Sequence, residues 1–211
     1  MIAAHGRDRE TRERLLAVAA RLFAARGFSK VTVRDICHKA NANVAAINYH
    51  FGGKTGLYEE VLRAAIETMQ GATEAARRAG ADLAPEGQLE AYVTVFLQII
   101  AKARDSWIHQ LMMRELTDDT PALDRVVKQV VRPRVAYLSG VIAALIGCDA
   151  DDERVARSVL SVHAQVQALL NSAVTSRIYG AAALSSPDHI EQLARHITRF
   201  SLAGIRAVAS V

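Results

Sequence analysis

The stretch Val44–Gly56, VAAINYHFGGKTG, decides how the rest of the chain is read. Its tail, GGKT, resembles a loop that wraps a nucleotide phosphate. That pattern, G-x-x-x-x-G-K-[ST], needs a glycine-rich turn of backbone N–H groups around the phosphates and a lysine to neutralise them. Counting back from Gly53-Lys54-Thr55 puts Asn48 where the first glycine belongs. Upstream, Val44-Ala45-Ala46-Ile47 is too short for the buried strand that feeds such a loop, and it follows a polar turn. The stretch reads instead as a short helix that Gly52-Gly53 brings to an end.

Working outward, Leu15, Leu16, Ala19, Leu22 and Phe23 recur at helical spacing from Thr11 on, and Gly27 followed by Phe28 reads as a left-handed stop. Thr32 with Asp35 three residues on predicts a capping box, and Val33, Ile36, Cys37 and Ala40 line one face of a second helix. At Asn41-Ala42-Asn43 the chain turns: Asn41 tolerates a positive φ and Asn43 can cap the third helix, which starts near Val44. Setting Ile47 and Phe51 inward points Ala45, Ala46 and Tyr49 outward, with Asn48 and His50 on the flanks. Two short helices joined by a tight turn, the second with small and polar residues outward, make a helix-turn-helix. Alanine methyls can meet a thymine methyl in the major groove, Asn48 can pair with a base edge, and Tyr49, His50 and Lys54 suit phosphate oxygens.

Charge follows the same division. Residues 1–54 hold ten Lys or Arg against four acids, a net +6, while the other 157 residues net −2 within a whole-chain charge of +4. Such asymmetry suits an N-terminal segment that meets a polyanion; the plain alternative is a solvated basic face. At 211 residues and 51% hydrophobic the chain can bury a sizeable core. No run matches the roughly 18 uninterrupted apolar residues of a membrane span, and the start lacks an apolar leader, so the expectation is a cytoplasmic protein away from membranes. Cys37 and Cys148 make no disulfide framework, the seven histidines show no H-E-x-x-H spacing, and nothing resembles a nucleophile elbow or a catalytic Cys/His set. The expectation is therefore no enzyme, no metal and no cofactor.

Residues 11–60, from TRERLLAVAARLFAARGF through TVRDI and YHF to GGKTGLY, closely resemble the N-terminal DNA-binding domain of the tetracycline-repressor (TetR) family. The resemblance implies that Thr32 and Arg34 touch backbone or base, that Val44, Ala45, Ala46 and Asn48 face bases, that Tyr49, His50 and Lys54 hold phosphates, and that Asn43 belongs to the same DNA-binding set. Asn41 stands where the family has glycine, and Asn48 where an aromatic is commoner. The implied fold is all-α: a three-helix helix-turn-helix domain over 1–54 and a larger helical ligand-binding and dimerisation domain over 55–211.

Beyond Leu62 the pattern stays helical, with helices expected over 54–79, 86–104, 106–116, 121–147, 152–179 and 188–209, the fourth kinked at Pro133. The segment from Trp107 to Gly147 is similar to the C-terminal domain of a TetR subgroup associated with efflux or drug-response genes. Phe96, Ile99, Trp107, Gln110, Met113, His163 and Gln167 are candidate lining for a small-molecule inducer, although Trp and Met at helical spacing serve equally well as core. The last two helices, around Val162–Gln165 and Leu193–Leu202, carry small and apolar faces fit for a homodimer that reads a palindromic operator. The function this implies is a ligand-responsive repressor.

Overall fold

In a computed structural model, residues 2–103, 106–117, 121–169, 177 and 186–210 are described. The elements are α1 (Ile2–Arg26), α2 (Val33–Ala40), α3 (Val44–Phe51), α4 (Lys54–Ala79), α5 (Pro85–Ala103), α6 (Trp107–Thr117), α7 (Pro121–Val126), a π-helical turn (Val127–Val131), α8 (Arg132–Ile146), α9 (Glu153–Gln167) and α10 (Pro187–Ala209). The described residues contain no strand, and the all-α expectation holds. The first helix is longer than its apolar repeat suggested, because its start carries charged residues that no periodicity marks. Most of the expected 168–179 extension of α9 lies outside the described residues; Ala168 and Leu169 form a turn.

Two compact units emerge: residues 1–68 with 105–126, and residues 69–104 with 127–211. The sequence reading divides the chain by role after Lys54; in space the first unit also takes the start of α4 and all of α6. Side chains explain the grouping. Tyr58 of α4 meets Phe23 edge-on at 5.1 Å between ring centroids, and Phe28 at 4.9 Å. Arg12 of α1 pairs with Glu60. From α6, Arg114 donates to the Ala25 carbonyl at 3.3 Å, and the buried Glu115 accepts from the Tyr58 hydroxyl.

The second unit is built from α5, α8, α9 and α10 around Leu89, Val93, Leu97, Leu138, Ile142, Val155, Val159 and Ile197, all buried. Residues 122–146 are long and apolar enough by composition to cross a membrane, but Leu138, Val141 and Ile142 of that stretch belong to this core. The irregularity expected at Pro133 falls just upstream of it. Proline has no N–H to give the carbonyl four residues back, and a wider turn spreads over Val127–Val131 before α8 resumes. The carbonyl it leaves, that of Gln129, accepts from the Gln70 side chain at 3.1 Å.

Candidate nucleic-acid interface

α2 starts as its first residues demand. The Thr32 hydroxyl accepts from the Asp35 N–H at 3.1 Å and donates to the Asp35 carboxylate at 2.7 Å, while the Thr32 N–H donates to that carboxylate at 2.9 Å. Those bonds from Thr32 hold the Asp35 carboxyl below its ordinary range. At the other end Asn41 sits at φ 47°, ψ 55°, the one non-glycine residue with positive φ among those described. Arg14 of α1 donates from Nε to the Ala40 carbonyl at 2.6 Å, tying the turn to the first helix and satisfying a helix-end acceptor.

α3 is capped by the Asn43 side chain, which accepts from the Ala46 N–H at 2.8 Å, and closed by Gly52 at φ 69°. Ile47 and Phe51 are buried, as their spacing requires. On the opposite face stand Val44 at 46% and Tyr49 at 78% exposure, together with exposed Ala45 and Asn48; Ala46 is half-buried. An apolar valine and a tyrosine thus stand in solvent beside an asparagine on one face of α3. Thr32 and Arg34, at the head of α2, are also exposed.

Not every residue named from the sequence stands free. Asn43 spends its side-chain oxygen on the cap. The His50 side chain is only 7% exposed and lies 3.5 Å from the Asp8 carboxylate. Lys54 holds its ammonium 4.2 Å from the centre of the Phe28 ring, a cation–π contact. The spacing rule could not see these partners, because Asp8 and Phe28 are brought up by the tertiary fold.

Gly56 is the residue that sequence reasoning passed over. A Cβ there would lie 1.9 Å from the Phe51 carbonyl oxygen, so only glycine lets α4 begin so close to the end of α3. With Gly52 and Gly53 at φ 69° and 119°, it accounts for the glycines of GGKTG without any phosphate. The pattern that opened the reading is a helix-to-helix corner.

The seven inducer candidates are divided between the two units. Trp107, Gln110 and Met113 belong to the first unit, with Gln110 and Met113 exposed; Phe96, Ile99, His163 and Gln167 belong to the second, with Gln167 exposed. Phe96 and His163 are joined by a residue that was not singled out, Tyr92: its hydroxyl is 2.7 Å from His163 Nε2 and its ring centroid is 4.6 Å from that of Phe96. Burial, with Arg134 second, lowers the His163 pKa to about 4. The first unit contains a cavity of about 670 Å³, lined in part by Arg26, Lys30, Tyr58, Arg114, Glu115 and Arg125. No group of three or more potential metal ligands occurs among the described residues.

A capped helix pair with an exposed reading face defines a helix-turn-helix DNA-binding protein. Residues 15–61 match the model of the tetR family of bacterial regulatory proteins, and residues 85–205 match the C-terminal domain of the HTH-type transcriptional dual regulator CecR. The chain therefore belongs to the TetR family of transcriptional regulators, in the branch with a CecR-type C-terminal domain. It is 28% identical to CecR of Shigella flexneri over 170 residues, covering 76% of this chain and 74% of that protein. It is 35% identical over 89 residues to the transcriptional repressor KstR2 of Rhodococcus jostii, 42% of this chain and 43% of that one. A tetR-family regulatory protein from Rhodococcus RHA1 shares the fold with a TM-score of 0.65 at 20% identity, covering 92% of this chain and 96% of that chain.

Proposed function

We propose that this regulator inserts α3 into the major groove, reads bases with Val44, Ala45 and Asn48, positions itself on phosphates with Tyr49, and represses transcription until a small molecule binds the helices beyond α4. The observation that carries this reading is the outward face of α3: an exposed asparagine and tyrosine beside small residues, on a helix capped at both ends. Thr32, Arg34 and Lys54 supply backbone contacts around it. One such helix touches too few bases for useful specificity, so two copies about one helical turn of DNA apart read a palindrome. The outward side of α9 and α10 suits the pairing, since Leu160 and Phe200 are 70% and 66% exposed while Val162, Ala194 and Ile197 serve the core. Ligand would favour a form whose two reading helices are spaced wrongly for the operator, so DNA affinity falls by population shift. The protein works in the cytoplasm, as a regulator rather than an enzyme.

The test is fluorescence anisotropy on the DNA upstream of its own gene and on a random duplex, across a salt series. Specific binding should show a steep negative slope of log K against log salt, about −0.9 for each phosphate neutralised. Asn48→Ala should cost about 1–3 kcal/mol per half-site on the specific duplex and little on the random one. Equal affinity for both duplexes in the parent protein would refute the reading.

A further inference from the structure

The second unit contains a half-buried arginine, Arg134, that pairs with no acid among the described residues. Arg134, in the first turn of α8, stacks its guanidinium on the Phe96 ring of α5 with Cζ 4.4 Å from the ring centre. The stack occupies one face of the guanidinium and leaves its N–H groups in the plane. Two of these nitrogens, Nε and Nη2, are buried and have no hydrogen-bond partner. They form the same edge of the group, the edge whose parallel N–H bonds fit both oxygens of a carboxylate. Beside it stands Tyr92, hydrogen-bonded to His163 and with its ring 4.6 Å from that of Phe96. Burial keeps Tyr92 protonated by raising its pKa, and burial together with Arg134 keeps His163 neutral with a pKa of about 4, so neither offsets the positive charge. Two buried guanidinium nitrogens left this way are costly to the folded protein. That cost is explained if the missing partner arrives from solution.

The structure assigns to Arg134 the recognition of the effector: a small molecule carrying a carboxylate on an apolar body, held side-on by Nε and Nη2, with Phe96 behind the guanidinium. This rests on the reading of the chain as a ligand-responsive regulator and narrows the ligand to an organic anion.

Two measurements test it. The first needs no ligand: Arg134→Met keeps the length of the side chain and removes the unpaired charge, and it should raise the melting temperature by about 2–4 °C, a gain of stability at a functional site. A fall instead would make the guanidinium a structural prop and overturn the assignment. The second compares decanoate and 4-phenylbutyrate with their primary amides on the unaltered protein, by thermal shift and by calorimetry. At least one acid should bind ten-fold or more tighter than its amide, and that preference should vanish in Arg134→Met. Amides matching the acids, or acids that shift nothing, overturn the assignment. Anisotropy on upstream DNA separates the two levels: operator binding without a carboxylate preference sinks the anion proposal alone, whereas no sequence-specific DNA binding at all sinks the regulator reading on which it rests.

Discussion

In the first unit every break between the helices of the DNA-binding domain is marked by residues with few substitutes: Gly27 at φ 78°, Asn41 at φ 47°, and Gly52 with Gly53 at 69° and 119°. In the second unit the main irregularity, the π turn over Val127–Val131, lies ahead of the proline that causes it, and the polar centre joins α5, α8 and α9 through Tyr92, Phe96, Arg134 and His163. The first unit is written in local backbone rules. The second is written in long-range packing, which a linear pattern announces only as helical and apolar. The difference teaches where substitutions should act through geometry and where through buried chemistry.

The sharpest way to break that contrast is Gly56→Ala. The added methyl meets the Phe51 carbonyl oxygen, a backbone atom that cannot rotate away, so α4 must shift from α3. The expected cost is about 3 kcal/mol or more, the upper range of overpacking, with loss of operator binding. Chemical denaturation followed by circular dichroism measures it, and a variant of parental stability would show that the corner is looser than described.

Tyr92→Phe probes the other unit with almost no change of shape. It removes the hydroxyl that pairs with His163 Nε2 and leaves a buried ring nitrogen unsatisfied, for an expected loss of about 1–2 kcal/mol in the same denaturation experiment. A neutral outcome would mean that water takes the place of the hydroxyl.

Asn41 returns to backbone rules on a smaller scale. Asn41→Val should destabilise by about 1 kcal/mol because a β-branched side chain clashes at positive φ, while Asn41→Gly should be neutral or slightly stabilising. Parity between the Val and Gly variants in thermal melts would contradict the left-handed turn.

The smallest expected effect is a pH tilt. His163 has a folded pKa of about 4 against an ordinary value of 6.5, lowered first by burial and then by Arg134. Below pH 6.5 the unfolded chain takes up a proton that the folded one refuses, so stability should decline as pH falls towards 4 and this contribution should level off below that. Between pH 6.5 and 5.5 the change is under about 1 kcal/mol. Melts of the parent and of His163→Gln over that window isolate it, since the variant should lose that part of the slope.

The sequence alone determined the helix-turn-helix, because caps, positive-φ residues and a 3.6-residue apolar repeat act within a few positions of where they are written. Thr32 with Asp35, Asn41, Asn43, Ile47, Phe51 and Gly52 all stand in the structure as their types require. Where the local rule ended, so did the reading. His50 was set on the flank by helical spacing and lies almost covered beside Asp8; Gly56 was passed over because its constraint is the approach of a carbonyl in the preceding helix. Only the tertiary structure decided that α6 joins the first unit, so that Trp107, Gln110 and Met113 belong to one unit and Phe96 and His163 to the other. It alone showed that Tyr92 links those last two residues and that Arg134 lies over Phe96. The Tyr92–His163 and Phe96–Arg134 contacts join residues dozens of positions apart, and an apolar face leaves open which partner it will meet until the chain has closed around it.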